Sequence, residues 1–256
     1  MLSIEDNART IDREFETGRS IVDGLPYYYQ VHLHMPCNQK CIMCVPDGRH
    51  PRDTMSFESF SRILDRISGV AKILTLIGGE TLLYPHIEDV LERLGRHRME
   101  VNIITNATML TEALCERLIG LHRLNLKCSV DAASADTYYR IRGTDVFDRV
   151  KRNLEMFAGM TKGMEHIRRI MVYVVMRRNL HEVLPFIDFA STLAPHEIQF
   201  HPVRHVSSWS VDNGTGWHFD GAEQSCESFR ETYLETMRRA QERCSQLAIR
   251  CETLPV

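Results

Sequence analysis

The stretch "YYYQVHLHMPCNQKCIMC", residues 27–44, decides the fold, because it joins a strand pattern directly to a dense group of cysteines. Apolar and polar side chains alternate in its first half, which predicts a strand at residues 28–34. Cys37, Cys41 and Cys44 follow at once, in the pattern C-x₃-C-x₂-C. Three thiolates this close together can wrap one small inorganic centre.

The number of cysteines leaves several kinds of centre open. Structural zinc and iron–sulfur clusters normally take four protein ligands, so three cysteines leave one position free for a substrate. A nearby histidine, His34 or His50, would instead complete a Cys₃His zinc knuckle. Free cysteines are also among the most buried residue types, so simple burial is a third alternative.

Composition excludes some classes of protein. The chain has 256 residues and a formal net charge of −3, with no long Lys/Arg block, so we expect no nucleic-acid partner and no membrane surface. The charged N-terminus has no signal-peptide pattern, and the longest apolar run, "IMVYVVM", is too short to span a bilayer. We therefore expect a cytoplasmic protein, whose eight cysteines indicate metal or redox chemistry rather than disulfides.

Strand and helix patterns alternate along most of the chain. Strand patterns occupy 28–34, 72–77, 100–105, 124–131, 168–176 and 196–203, with helical patterns near 56–68, 85–97, 111–121, 145–158 and 180–193. This alternation predicts parallel strands joined by right-handed crossovers, and hence an α/β fold, a partial (β/α)₆ TIM-like barrel. We predict three parts: an N-terminal helical arm (1–27), the core barrel (28–221), and a C-terminal helix and strand (222–256).

Several predicted strands have one polar face. In "LNLKCSVD", residues 124–131, every second side chain is polar, whereas a strand buried on both faces is apolar throughout. A barrel lumen that binds a polar ligand explains this pattern better than a packed core. By the same parity, the candidates for substrate contact are Gln30, His32, His34, Asn102, Lys127, Tyr173, Gln199 and His201. His201 or Lys127 would serve as acid or base, although such residues are more often structural.

The cysteine motif after the first strand resembles the signature of the radical SAM superfamily, and the resemblance extends over residues 28–203. The other matching segments are "GGET" (78–81), "TNAT" (105–108), "SVDA" (129–132), "YYRIRG" (138–143) and "VVMRRNLHEV" (174–183). The cysteine motif is specific in this context, whereas a GGE sequence alone would be weak.

The resemblance implies a radical enzyme. Cys37, Cys41 and Cys44 would hold three irons of a [4Fe–4S] cluster, and S-adenosylmethionine (SAM) would chelate the fourth. Reductive cleavage of SAM would give a 5′-deoxyadenosyl radical that abstracts hydrogen from a peptide or small-metabolite substrate. The outcome would be a dehydrogenation, epimerisation, cross-linking or rearrangement. The resemblance also implies oxygen sensitivity and a reductase partner such as flavodoxin or ferredoxin.

The resemblance further assigns SAM contacts to eight residues, and each assignment has an ordinary structural alternative. Met43 would pack near the adenine, or in the core. Gly78 and Gly79 would allow close backbone approach, or form a plain turn. Glu80 would accept a charge-assisted hydrogen bond from the SAM ammonium group.

The remaining contacts lie farther along the chain. Ser129 and Asp131 would bind the ribose or the SAM carboxylate, but Asp131 also suits a helix cap. Arg142 would pair with the carboxylate, or point to solvent. Asn106 would line the site, or turn the chain. Asn179 and Glu182 fit a capping pair better than a SAM contact; they are not among the eight.

Relatives of this kind often carry a cysteine-rich C-terminal extension (SPASM or Twitch), which we predict is absent here. Cys226, Cys244 and Cys251 fall in the right part of the chain, but their spacing makes no ligand array. Burial as small apolar side chains explains them, together with Cys115 and Cys128.

Two further hypotheses remain from the sequence. The long segment at residues 203–221 contains two tryptophans and two histidines, which favours a lid or binding loop over a surface excursion. For the whole chain, the alternative to an enzyme is a non-catalytic zinc or iron–sulfur protein that uses the cysteine knuckle for structure or partner binding.

Overall fold

The computed structural model describes residues 3–44, 53–204, 210–212, 214–216 and 218–256. The main strands are β1 (Tyr28–His34), β2 (Ile73–Gly78), β3 (Glu100–Thr105), β4 (Arg123–Ser129), β5 (Ile167–Val175) and β6 (Glu197–Pro202). The helices are α1 (Ile4–Glu16), α2 (Phe57–Ile67), α3 (Ile87–Leu94), α4 (Glu112–Ile119), α5 (Ala135–Arg142), α6 (Phe147–Met160), α7 (Val183–Ser191), α8 (Gly221–Gln224) and α9 (Arg230–Gln246). The remaining strands are β7 (Ser210–Asp212), β8 (His218–Asp220) and β9 (Arg250–Thr253).

Seven parallel strands form one sheet in the order β1-β2-β3-β4-β5-β6-β9, and β7 pairs with β8 as a separate antiparallel ribbon. The order follows the chain because each strand is joined to its neighbour by a helical crossover, which parallel pairing requires. The prediction of an α/β partial barrel with an N-terminal helix and a C-terminal helix and strand is confirmed.

Helix positions follow local capping chemistry. The side chains of Ser56, Thr111 and Ser134 each accept a hydrogen bond from a backbone N–H in the first turn of α2, α4 and α5. Helix α5 ends at Gly143, which has φ +71° and donates its N–H to the Tyr139 carbonyl over 2.8 Å. The helical pattern at 145–158 corresponds to α6, and the helix start suggested by a cap at Asp131 corresponds to α5, which this left-handed glycine ends before α6 begins.

The core lies between the sheet and its helices. The helix-facing side chains of the first strands, such as Leu33, Leu76 and Leu126, are fully buried against residues such as Phe60 and Leu64 of α2 and others of the helical layer. Among the described helices, none combines the length and apolar character needed to cross a bilayer.

The opposite face of the sheet forms the lumen and carries polar side chains. We call it the lumen face; by register and strand alternation it includes Gln30, His32, Thr75, Asn102, Asn125, Lys127, Ser129, Glu197, Gln199 and His201. Near the amino ends of the strands this face is internally bonded. Asn102 donates to Thr75 over 2.9 Å, and Asn125 donates to Asn102 over 2.7 Å.

Candidate active site

The loop that carries the three cysteines leaves β1 at the carboxyl edge of the sheet and is tied to two neighbours. The backbone N–H groups of Lys40 and Ile42 donate to the carbonyls of Arg142 and Ile141 over 3.0 and 2.9 Å, so the loop docks on the end of α5. On its other side, the Glu80 N–H donates to the Pro36 carbonyl over 3.1 Å. The loop is therefore held between the end of α5 and the end of β2.

The two glycines after β2 are required by this docking. A Cβ atom at Gly78 would lie 2.0 Å from the His34 carbonyl oxygen, and one at Gly79 would lie 2.0 Å from the Met35 oxygen. No side chain fits at those distances, so glycine is needed for backbone packing. These glycines approach the backbone of the cysteine-bearing loop, and their predicted contact with SAM stays a prediction.

A cavity of about 180 Å³ opens where these elements meet. It is lined by Cys37, Cys41 and Cys44, together with six of the eight predicted SAM contacts, namely Gly78, Gly79, Glu80, Asn106, Ser129 and Arg142. Residues distant in sequence thus share one site at the carboxyl ends of β1 to β4, where open α/β sheets bind their ligands.

Burial disfavours the charged form of two of the cysteine thiols, Cys37 and Cys41. Burial raises the pKa of Cys41 to about 12, an effect that the Arg142 guanidinium opposes. Burial also raises the pKa of Cys37. In the described ranges, no three or more His, Cys, Asp or Glu side chains are arranged to hold a single metal ion. The assignment of the thiols to an iron–sulfur cluster stays a prediction.

Glu80 is almost completely buried, and its carboxylate joins β2 to β3. It accepts hydrogen bonds from the Thr105 hydroxyl over 2.6 Å, the Asn106 N–H over 2.7 Å and the Leu82 N–H over 3.0 Å. Burial raises the pKa of Glu80, and these donors oppose that effect. A carboxylate has about four lone-pair sites, so this one retains acceptor capacity towards the cavity.

Asn106 also connects elements. Its amide group donates to the Asn38 side chain over 2.9 Å and accepts from the Thr108 hydroxyl over 2.6 Å. The Asn38 side chain in turn donates to the Thr108 hydroxyl over 2.8 Å. Asn106 therefore both lines the cavity and fixes the chain around Cys37.

Arg142 sits at the centre of the charged part of the site. It is 6% exposed, and its guanidinium lies 2.5 Å from Asp131 Oδ2, 3.5 Å from Cys41 Sγ and 3.4 Å from Gln39 Oε1. Burial opposes its charge, but Asp131 and Cys41 raise the pKa of Arg142, so it remains a cation. In the described part of the chain its buried Nε has no hydrogen-bond acceptor. Arg142 is therefore a buried cation beside the cysteines, not a solvated arginine.

Asp131 has a different position from the one that strand parity predicts. It lies beyond the end of β4 with φ +63°, it is fully buried, and it does not line the cavity. Its Oδ1 accepts from the Val174 N–H over 2.7 Å, and its Oδ2 pairs with Arg142. Burial raises the pKa of Asp131, whereas Arg142 and the Val174 N–H lower it. It reaches the site through Arg142.

Met43 lies beside the cavity rather than in its lining. It is partly buried and packs on a small apolar cluster that contains Ile42, Ile141 and Phe219. This position agrees with the alternative that Met43 packs in the apolar core. Its predicted contact with adenine stays untested.

Tyr173 requires a correction. Its ring is fully buried on the helix-covered face of β5, 4.7 Å from the Phe186 ring and 5.8 Å from the Phe200 ring, centroid to centroid. Its hydroxyl donates to the Asn179 carbonyl over 2.8 Å. The prediction that Tyr173 faces the lumen is wrong, because β5 is apolar on both faces after Arg169, so alternation there gives no signal.

Apart from His34, which follows a register shift at the end of β1, the other predicted substrate contacts lie on the lumen face. Gln30 and His32 are exposed there, and a ring nitrogen of His34 lies 2.9 Å from the Thr54 hydroxyl. Lys127 donates to Gln199 over 3.4 Å. His50, the tryptophans Trp209 and Trp217, and His205 of the predicted lid lie outside the described residues.

Asn179 and Glu182 are structural. Asn179 donates to the Asp131 carbonyl over 3.0 Å and accepts from the Met176 N–H over 2.9 Å. Glu182 caps α5 rather than its own helix: it accepts from the Ala133 N–H over 2.7 Å and from the Thr137 hydroxyl over 2.7 Å. Sequence spacing indicates a cap but cannot indicate which helix receives it.

The remaining cysteines are buried, as the sequence indicated. Cys115, Cys128, Cys226 and Cys244 are buried in the apolar core, and Cys251 is half-buried beside them. Gln39 and Ile104 line the cavity but were not predicted. The position of Gln39 inside the cysteine motif was the available signal.

The family model described as the radical SAM superfamily matches residues 36–190. A probable GTP 3′,8-cyclase of Saccharolobus solfataricus is 28% identical over 182 residues, which cover 68% of this chain and 57% of that protein. The mycofactocin maturase of Mycobacterium tuberculosis is 26% identical over 161 residues, or 62% of this chain and 40% of that protein. The chain thus spans 57% of the length of one of these relatives and 40% of the other, less than two thirds of either.

Solved structures show the same fold. Streptococcus suis SuiB bound to S-adenosylmethionine superposes with a TM-score of 0.72 at 15% identity, over 97% of this chain and 54% of that one. The enzyme anSMEcpe with bound AdoMet and a peptide superposes with a TM-score of 0.69 at 17% identity, over 89% of this chain and 63% of that one. At these identities the likeness concerns the fold alone.

Proposed function

The chain belongs to the radical SAM superfamily, and from this membership we propose that it is the SAM-cleaving core of a radical enzyme. The family uses a [4Fe–4S] cluster and SAM. When bound, these groups supply a 5′-deoxyadenosyl radical that removes a hydrogen atom from the substrate. The observation that carries the proposal is the single cavity that the three cysteines share with the GGE segment, Asn106, Ser129 and Arg142.

The residues present fit both groups. Cys37, Cys41 and Cys44 would hold three irons, and their number leaves one iron for SAM. The buried Arg142 Nε, which has no acceptor in the described residues, is available for the SAM carboxylate. The remaining acceptor capacity of Glu80 suits the SAM ammonium group.

The protein's own part is to orient these groups and to keep them dry. Asp131 pairs with the guanidinium of Arg142, and Gln39, which is part of the cysteine loop, is 3% exposed. Ser129, on the lumen face and in the cavity lining, would contact the ribose or carboxylate of SAM. The substrate would enter from the lumen, past the exposed Gln30 and His32.

The substrate class we propose is a peptide or a small polar metabolite. The lumen face is polar, and the names of the matching proteins include a nucleotide cyclase and a peptide-bound enzyme. The electron for SAM cleavage would come from a separate reductase such as flavodoxin or ferredoxin.

The test is SAM cleavage by the anaerobically reconstituted chain. We expect about four irons per chain and formation of 5′-deoxyadenosine after addition of SAM and dithionite. Cys41→Ala should abolish both, while Cys115→Ala, which removes a buried thiol outside the site, should retain both.

Three results would change the account. Product formation by Cys41→Ala would refute the cluster assignment. About eight irons per chain would indicate a second cluster, with Cys226, Cys244 and Cys251 as its candidate ligands. Zinc without SAM cleavage would favour the non-catalytic knuckle.

A further inference from the structure

Two basic side chains, Lys127 of β4 and His201 of β6, lie on the lumen face and are connected through Gln199, which bonds to Lys127 and precedes His201 by two residues. Lys127 on β4 is in register with Ile104 of β3, and it precedes Ser129 by two residues. Both neighbours line the cavity, and Ile104 is 38% exposed although it is apolar and lies within the sheet. The lumen is therefore open beside Lys127.

The lumen carboxylates nearby already have partners. Glu197 pairs with Arg168 over 2.9 Å, and Glu252 accepts from the Gln199 amide over 2.7 Å. Asp131, above them, pairs with Arg142. None of these groups forms an ion pair with Lys127 in the described structure.

Lys127 and His201, in contrast, have no ion-pair partner among the described residues. The ammonium group of Lys127 has three donors, and its hydrogen bond in the described structure is a long one, 3.4 Å, to the neutral amide oxygen of Gln199. The described structure gives the His201 ring no hydrogen bond. Burial lowers the pKa of His201 and the Lys127 charge lowers it further, with a smaller opposing effect of Asp131. Lys127 contacts Gln199, which precedes His201 by two residues on the same face of β6, so the Lys127 charge lies near the imidazole and disfavours its protonation.

We propose that Lys127 and His201 form an anion subsite, which holds a carboxylate or phosphate group of the substrate. This inference rests on the proposed function for its meaning, because the anion would anchor one end of the substrate while the rest extends toward the three cysteines. A bound anion would accept hydrogen bonds from the remaining N–H donors of Lys127. Its negative charge would also offset the positive charge that Lys127 places near His201. This subsite would therefore select substrates whose anionic group is separated from the C–H bond that is broken.

The test uses the complete chain without cluster or SAM, labelled with ¹⁵N in its histidine rings. The His201 signal is assigned from the spectrum of His201→Gln. Inorganic phosphate and glutarate are titrated separately at pH 7, so that the two sources of negative charge are distinguished. We expect one of them to shift the His201 signal saturably, with a dissociation constant raised about tenfold or more in Lys127→Gln.

Matched variants separate the site from general charge effects. Lys127→Arg should retain most of the binding because it keeps the cation, and Lys72→Gln, which removes an exposed lysine outside the lumen, should bind like the original chain. Absence of any saturable shift in the unmodified chain would overturn the proposal, whatever the variants do. Equal affinity in Lys127→Gln would overturn it as well.

Neither failure would affect SAM cleavage. The anion titration needs no cluster, and the formation of 5′-deoxyadenosine needs no substrate anion. A chain that cleaves SAM but binds neither anion keeps the proposed function and loses the subsite.

Discussion

Arg142 is the residue that connects the buried carboxylate of Asp131 to the cysteine thiols. Its guanidinium lies between the Asp131 carboxylate at 2.5 Å and the Cys41 thiol at 3.5 Å. Both Arg142 and Asp131 are buried, so each charge depends on the other for compensation. Loss of one partner therefore affects stability as well as function.

Asp131→Asn tests this dependence. Asparagine tolerates the positive φ of +63° and keeps an acceptor for the Val174 N–H, so the change removes mainly the charge. An uncompensated buried arginine should lower the free energy of unfolding by about 3 kcal/mol, measured by urea denaturation. Asp136→Asn breaks an exposed ion pair with Arg140 on α5, the helix that carries Arg142. It should lower the free energy of unfolding by less than about 1 kcal/mol. An equal decrease in the free energy of unfolding in the two variants would show that Asp131 does not compensate the charge of Arg142.

Glu80 combines a structural role with a proposed SAM contact, and two substitutions separate them. Glu80→Gln keeps an oxygen for the Thr105 hydroxyl and the Leu82 N–H, but it turns an NH2 group towards the Asn106 N–H and loses the negative charge. We expect the SAM affinity of the reconstituted protein to fall about tenfold, equivalent to about 1.4 kcal/mol, with a smaller loss of stability than in Glu80→Ala because only one donor loses its acceptor.

Glu80→Ala leaves three buried donors unsatisfied, so it should weaken SAM binding and also destabilise the fold by about 2 kcal/mol or more. Equilibrium dialysis with labelled SAM measures the affinity. Unchanged affinity in both variants would exclude Glu80 from the SAM site.

At the scale of elements, the site depends on how closely the end of β2 approaches the cysteine loop. Gly79→Ala places a Cβ atom 2.0 Å from the Met35 carbonyl oxygen, so the loop must move. We expect the iron content after reconstitution to fall by more than half, measured by colorimetric iron analysis.

Gly159→Ala is the matched control for that change. Gly159 lies inside α6 with open space around its Cα, so alanine there should stabilise the helix by about 0.5–1 kcal/mol and leave iron binding intact. Full iron content in Gly79→Ala would show that the loop does not need this contact.

The sequence predicts elements well where side chains alternate or where caps are local. The lumen positions of β4 and β6 follow from their polar residues, because only one face of those strands is apolar. It fails at β5, where Tyr173 belongs to the helix-facing core, and at Glu182, which caps a helix about fifty residues earlier in the chain. Packing across the sheet determines both, and no local pattern records it.

At the scale of the whole molecule, the order of strands brings the motif residues together. The sequence places each motif after a successive strand, and the parallel order β1-β2-β3-β4 then brings those strand ends to one edge. What the sequence could not supply is the second layer of contacts, such as Asp131 on Arg142 and Asn106 on Asn38, because these depend on side-chain distances. The bounds of the three predicted parts stay predictions.

The most direct test of the central claim is electron paramagnetic resonance of the reduced, reconstituted chain before and after SAM is added. Three cysteine ligands leave one iron open, so SAM bound there must change the spectrum of the cluster, and SAM labelled with ¹⁷O in its carboxylate or ¹⁵N in its amino group must show coupling to it. We predict both effects. A four-iron spectrum that SAM leaves unchanged, with no coupling from either label, would contradict the account.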